Sequence, residues 1–436
     1  MRSLRALFFY LPILAACAPE EPATPSAPAP TPVSDAIVFE GATLLIGDGS
    51  APILNSAFVV QDGSFVAVGS AGAIDMPVGA ARIDLTGKTV IPGLIDAHLH
   101  LGYIDGRAWT DSSANFTRDN LIDQLSRLAH HGVVAALSMG LDYDAVYPIR
   151  DEAPGGVARL LTAGAGIARP NASAGDPARR EVPYGVDTPE QGRAAVRELM
   201  DRDVDIIKIW VDDRGGTVAK LTPDLYAPII DEARALGGQV TAHIFYLEDA
   251  KELLRAGLHG FAHGIRDEVV DEEFLALLED NPELFLIPNL PERAPRSEAD
   301  LDYAAETLPA AAIDSMREAD ASFEIDPNEL FETQAANLVA MHEAGVLVGF
   351  GTDGDGMGFD AHEELYDMVV AGLTPSQVIT AATSASAEIV GRDDLGSVAV
   401  GKSADFVILD ANPLDDIRNT RRIADVYISG EVVDRN

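Results

Sequence analysis

Pro92-Gly93-Leu94-Ile95-Asp96-Ala97-His98-Leu99-His100 decides how the rest of this chain is read. It is a short apolar run, opened by Pro-Gly and closed by two histidines two positions apart. On a strand, residues i and i+2 face the same way, so His98 and His100 share one face with Asp96. The same design recurs downstream. Val204-Asp205-Ile206-Ile207-Lys208-Ile209-Trp210 carries a lysine inside an apolar run. Val240-Thr241-Ala242-His243 and Gly260-Phe261-Ala262-His263 each end in a histidine, and Val348-Gly349-Phe350-Gly351-Thr352-Asp353 ends in an aspartate. Each polar residue stands at or near the carboxyl end of a strand-like segment.

Between residues 92 and 392 short apolar runs alternate with helical patterns, the mark of βα units. Strands are expected at 93–97, 133–138, 158–163, 204–209, 239–242, 260–262, 284–287 and 347–350. Amphipathic helices are expected at 188–200, 223–236 and 247–256, the first opened by Thr188-Pro189, an N-cap followed by proline. This predicts an α/β fold, a (β/α)8 TIM barrel whose strands deliver their carboxyl ends to one mouth. Residues 290–335, long and acidic, read as a helical lid inserted after strand seven. Residues 36–91 and 393–436 carry short alternating strands with Gly and Asp-Gly turns, and predict a small β-sandwich built from both terminal segments.

Four histidines, a lysine and an aspartate converging on one mouth suggest a metal site. Imidazole suits zinc and similar divalent ions. His243 and His263 are twenty residues apart, one βα unit, and so belong to adjacent strands. Lys208 has two readings. A core lysine can snorkel to the surface, but an unpaired ammonium among Ile206, Ile207, Ile209 and Trp210 is costly. The other reading is a lysine carbamylated by carbon dioxide, a carboxylate able to bridge two metals.

The ordered set resembles the amidohydrolase superfamily, in its dinuclear subgroup with a carbamylated lysine. The likeness is strongest to the branch of imidazolonepropionase-like, prolidase-like and phenylurea- or ochratoxin-hydrolase-like enzymes. It runs from about Ala36 to the C-terminus and includes Gly351-Thr352-Asp353, Ala381-Ala382-Thr383-Ser384 and Gly401-Lys402-Ser403-Ala404-Asp405-Phe406. The resemblance implies that His98, His100, the Lys208 carbamate and Asp353 hold one metal, and the carbamate, His243 and His263 a second. A single-metal site with plain Lys208 is the alternative. It further implies attack of a metal-bridging hydroxide on a small amide, a dipeptide or N-acyl amino acid, with Asp353 moving the proton. A cyclic amide, urea or carbamate would suit the same metals. A non-catalytic binding protein that kept the fold is a rival of another class.

Candidate substrate contacts lie in the loops after the strands. Arg214 and Arg266 could clamp a carboxylate or form surface salt bridges. Tyr246 could line the pocket, and His362 reads either as a mouth residue or as part of a helix start. His130, His131, His259 and His342 fall at the opposite end of the barrel.

The chain has 436 residues and a formal net charge of -39, which argues against nucleic-acid binding. The acidity reads as a solvated surface adapted to salt, or as a lure for a cationic substrate. The sole cysteine, Cys17, follows an apolar stretch and closes Leu14-Ala15-Ala16-Cys17, similar to a bacterial lipobox. Residues 1–17 are therefore expected to be a lipoprotein signal, and 18–35 a Pro/Ala-rich tether. That places the protein in the bacterial envelope, anchored by lipid, with the outer membrane favoured because Ala18 is not Asp. Ordinary cleavage after Ala18 is the alternative. The sequence is also compatible with a homo-oligomer.

Overall fold

The computed structural model describes residues 35–152, 154–173, 175–291, 294–323 and 329–435. Cys17 and residues 18–34 of the tether lie outside the described residues.

The terminal segments form two sheets. One has the order Ser64–Ser70, Ser56–Gln61, Ile37–Glu40, Ala81–Asp84. The other joins Thr43–Leu44 and Thr89–Pro92 to Phe406–Leu409, Ile423–Ile428 and Glu431–Val432, so the two ends of the chain share a ladder. Phe39, Phe58, Phe65 and Phe406 fill one core between these sheets. Phe39 stacks on Phe58 at 5.0 Å and meets Phe406 edge-on at 5.1 Å, arrangements that aromatic rings favour.

The rest is built on parallel strands. We number them β1 (Leu94–Leu99), β2 (Val133–Ser138), β3 (Arg159–Thr162), β4 (Ile207–Val211), β5 (Val240–Ile244), β6 (Gly260–Ala262), β7 (Phe285–Ile287) and β8 (Leu347–Val348). β3, β2 and β1 make a three-stranded sheet. β4 to β8, with two short strands before them, make a seven-stranded one. Backbone bonds cross both seams between these sheets. Ala97 N–H donates to Phe350 O at 2.9 Å and Asp353 N–H to His98 O at 2.7 Å, while Asp205 N–H donates to Thr162 O at 2.9 Å. The strands are buried on both faces, as parallel strands under helices must be.

All strands but β2 and β6 depart from the expected bounds by one to three residues, and at β4 and β8 the local reason is visible. β4 starts three residues late because Asp203 adopts a positive φ of 56° and the Asp205 carboxylate accepts from Thr162 N–H at 2.7 Å. β8 ends at Val348 because Phe350 leaves the ladder, donating its N–H to Ser386 Oγ at 3.0 Å.

The insertion after β7 contains helices Glu298–Ala304 and Ala310–Ser322. Their Leu301, Tyr303, Ile313 and Met316 pack with Met357 and Phe359 and against Ile104 and Trp109, residues of the loops that follow β8 and β1. The insertion therefore covers loops at the carboxyl ends of the strands. Among the described residues no helix is long and apolar enough to cross a membrane.

Candidate metal centre

The strand ends bring His98, His100, Lys208, His243, His263 and Asp353 together. Asp353 Oδ1 lies 3.3 Å from His98 Nε2 and 3.2 Å from His100 Nε2, and Oδ2 lies 3.8 Å from His263 Nε2. The ring centroids of His98 and His263 are 4.9 Å apart, and those of His243 and His263 4.4 Å. One donor atom each from His98, His100 and Asp353 falls within a 4.8 Å group able to hold a metal ion. The parallel register sets Trp210 beside His243 and Lys208 beside Thr241, so lysine and imidazole enter the site from neighbouring strands.

Two of these residues are held in unusual backbone conformations, with φ of 136° at His263 and 54° at Asp353. Strain of this kind at a non-glycine residue costs on the order of 1–3 kcal/mol and gathers at functional sites. Asp96 explains how Asp353 is held. Its Oδ1 accepts from His98 N–H at 3.0 Å and Thr352 N–H at 3.2 Å, and its Oδ2 from Thr352 Oγ1 at 2.8 Å. Asp96 thus ties β1 to the loop carrying Asp353. His100 Nδ1 sits 3.2 Å from Gly140 O, so this nitrogen carries the proton and Nε2 is left as the electron-pair donor.

Electrostatics favour neutral donors around one carboxylate. Burial lowers His98 to about 3, and lowers His243 to about 3 against the pull of Asp212. Burial also carries His263 well below the usual histidine range. The depth of the site would raise Asp353, but the neighbouring imidazoles of His263, His98 and His100 hold it well below the ordinary carboxylate range. Lys208 is 1% exposed, and burial lowers its amine to about 7. Its Nζ has no hydrogen-bond partner among the described residues, and neither has either ring nitrogen of His98 nor Nδ1 of His263. Buried polar atoms left unpaired are costly, and so many in one place fit a bound group that they would ligate.

A cavity of about 230 Å³ opens over these residues, also lined by Arg179, Arg214 and Arg266. Arg266 makes no side-chain ion pair or hydrogen bond among the described residues, and burial lowers its guanidinium below the usual range. Arg214 is committed, with Nη1 3.3 Å from Asp212 and Nη2 donating to Ser173 O at 2.8 Å.

Two expected contacts are elsewhere. His362 lies away from the centre: Nδ1 is 2.9 Å from Thr420 Oγ1 and Nε2 is 3.0 Å from His131 O, at the amino end of β2. The helix Ala361–Val370 turns it inward, against Tyr303 at 5.3 Å, and makes it a buried structural residue. Tyr246 is not in the cavity lining. It donates to Asp213 Oδ1 at 3.0 Å and covers Lys220 at 4.9 Å.

Three polar neighbours of the centre are not among the candidate residues of the sequence, although Asp212 stands in the loop 212–217 after β4. Asp212, one residue past β4, is held at about 2: burial opposes this, and the bond from His243 Nε2 at 3.1 Å outweighs it. Arg179 and Asp355 form a 3.1 Å ion pair at the cavity wall. Asp212 could have been found from its place at a strand end. Nothing in their loops marks Arg179 or Asp355.

The comparisons agree with this geometry. The amidohydrolase family profile matches residues 89–433. Ochratoxinase of Aspergillus niger is 26% identical over 430 residues, covering 88% of this chain and 82% of its own. Imidazolonepropionase of Shouchella clausii is 25% identical over 351 residues, covering 76% and 72%. The crystal structure of a Bifidobacterium longum protein provisionally called a prolidase superposes with a TM-score of 0.71 at 28% identity, covering 92% of this chain and 95% of the other. The chain belongs to the amidohydrolase family, metal-dependent hydrolases that act on carbon–nitrogen bonds of small molecules.

Proposed function

We propose that this mouth holds two divalent ions, zinc by the chemistry of the donors, and that the enzyme hydrolyses the amide bond of a dipeptide or N-acyl amino acid. The observation that carries the reading is Lys208, a buried amine with no partner, lowered to about 7, facing histidines and a carboxylate. A neutral amine is the form that reacts with carbon dioxide, and the resulting carbamate supplies the anion that the site otherwise lacks between its two histidine pairs. His98, His100, Asp353 and the carbamate would hold one ion, and the carbamate, His243 and His263 the other. Such ions supply a Lewis acid and a water of lowered pKa. Asp353, ionised and open to the cavity, is the group placed to take a proton from the attacking water and to return it to the leaving nitrogen. Arg266 meets the substrate carboxylate, since its guanidinium lines the cavity uncommitted.

The same reading closes the eight strands into one (β/α)8 barrel, supported by the hydrogen bonds at both seams. Residues 92–392 form this barrel, with 36–91 and 393–436 as its β-sandwich.

The test is elemental analysis together with a screen of dipeptides and N-acyl amino acids. About two ions per chain and turnover of a member of either set are expected. Protein grown with ¹³C-labelled bicarbonate should show one carbamate carbon that is absent from Lys208→Ala. One metal with full activity would remove the dinuclear assignment. For location we propose lipidation at Cys17, so that Cys17→Ser frees the protein from membranes. Unlipidated wild-type protein by mass spectrometry would refute it.

A further inference from the structure

The mouth has a second compartment. A cavity of about 360 Å³ lies beside the first, and Thr352 and Gly354, which flank Asp353, line it. Asp355 lines both cavities and stands in the wall between them. Their linings differ in kind. Beside the metal-centre residues, the first gathers Arg179, Arg214 and Arg266. The second gathers Ile104, Trp109, Leu290, Met316, Met357 and Phe359. Its polar members are Thr352, Arg296, which is paired with Asp320 at 3.1 Å and Glu363 at 3.4 Å, and the carboxylates Asp355, Asp360, Glu363, Glu364 and Asp367.

The apolar wall is built from four separate pieces of chain: the loop after β1, the loop after β7, the loop after β8 and the inserted helix Ala310–Ser322. Trp109 is held there in a backbone conformation that bulky side chains rarely adopt, with φ of 52°. The turn before it is fixed by Asp105, whose Oδ1 accepts from Arg107 N–H at 2.8 Å and Ala108 N–H at 2.9 Å. Trp109 N–H donates in turn to Asp105 O at 2.7 Å. A turn held this firmly, at the cost of strain, aims an indole at the cavity.

We infer that the second cavity is the acyl subsite, and that the preferred substrate is an amide with a carboxylate on its amine half and a bulky, uncharged apolar group on its acyl half. This rests on the amide-hydrolase reading above. The cationic cavity takes the carboxylate, and the second cavity, where carboxylates outnumber the already paired Arg296, disfavours an acidic acyl group, so one orientation of the substrate is preferred. The scissile bond then lies over Asp353, between the compartments. The C–N bond breaks, the hydroxyl of water joins the acyl carbon, and its proton goes to nitrogen. Aromatic and medium-chain acyl groups suit the cavity's size and lining.

The test uses the metal-loaded full chain with N-acetyl-, N-hexanoyl-, N-phenylacetyl- and N-succinyl-L-alanine. Hexanoyl and phenylacetyl should exceed acetyl in kcat/KM by about tenfold or more, with succinyl lowest. Met316→Ala should compress that ratio. Equal rates, or preference for acetyl or succinyl, would overturn the subsite while leaving amide hydrolysis intact. Cleavage of none of them, nor of any dipeptide, would overturn the amide-hydrolase reading itself. A binding measurement stands apart from turnover. The chain has two tryptophans, and phenylacetate should bind about tenfold or more tighter than acetate with a shift in their emission that Trp109→Phe removes. Phenylacetate binding no tighter than acetate would also overturn the subsite.

Discussion

Two lysines of this protein are equally hidden and chemically opposite. Lys208 is 1% exposed and Lys251 2%. Lys251 sits just beneath the surface on the helix Leu247–Arg255, among Glu248 at 2.8 Å, Asp271 at 2.7 Å and Glu273 at 3.2 Å. The hydrogen bonds that its ammonium donates to Asp271, Glu248 and Glu273 raise its pKa above the ordinary lysine range. Lys208 is buried within a parallel strand, and burial lowers it to about 7. Covering a lysine therefore decides little. What surrounds the nitrogen decides whether it stays a cation or becomes a nucleophile. Lys251 is a structural ion pair, and Lys208 is an amine held ready for another chemistry.

The largest effect that could break this contrast is loss of Lys208 itself. Lys208→Ala should lower metal content and cut turnover by at least about a thousandfold, read by elemental analysis and steady-state kinetics. Lys208→Arg should do the same, because guanidinium stays charged and cannot be carbamylated. An active, metal-replete Lys208→Arg enzyme would erase the distinction.

Next is pH. Only the neutral amine reacts with carbon dioxide, so reactivation of metal-stripped protein by zinc and bicarbonate should be half-maximal near pH 7, falling about tenfold per unit below it. A rate constant flat between pH 5 and 8, at fixed dissolved carbon dioxide, would count against the lowered pKa.

Stability sharpens the same point. The folded pKa of Lys208 lies below its unfolded value, so between about 7 and 10.5 the unfolded chain binds more protons and stability rises with pH. Metal-free wild type should gain a few kcal/mol relative to Lys208→Met on going from pH 6 to pH 9, measured by denaturant unfolding. Identical pH profiles for the two would show that the amine is solvated.

The smallest effect belongs to Lys251. Lys251→Met should leave metal content and kcat unchanged and lower the melting temperature by a few degrees, since its partners are largely exposed carboxylates. A large loss of activity there would mean that the two lysines are not separate in function.

Much of the site could be read directly. The observed bounds of β2 and β6 are the expected ones, and the six polar residues at the strand ends do converge. Period-two alternation puts His98 and His100 on one face whatever the rest of the chain does, and parallel pairing brings strand ends together. Of the two readings of His362, the structure takes the helix start, because position after Asp353 implies nearness to the centre only until a helix turns the side chain away.

By itself, then, the sequence determined the order of strands and the donors at their ends, because both follow from local periodicity. Only the tertiary structure decided that Lys208 has no partner while Lys251 has three, that Arg179 meets Asp355 across 176 positions, and that the mouth divides into a cationic and an apolar compartment. Those facts depend on where long loops come to rest, and loop paths are set by packing between distant segments, which no repeat in the chain encodes.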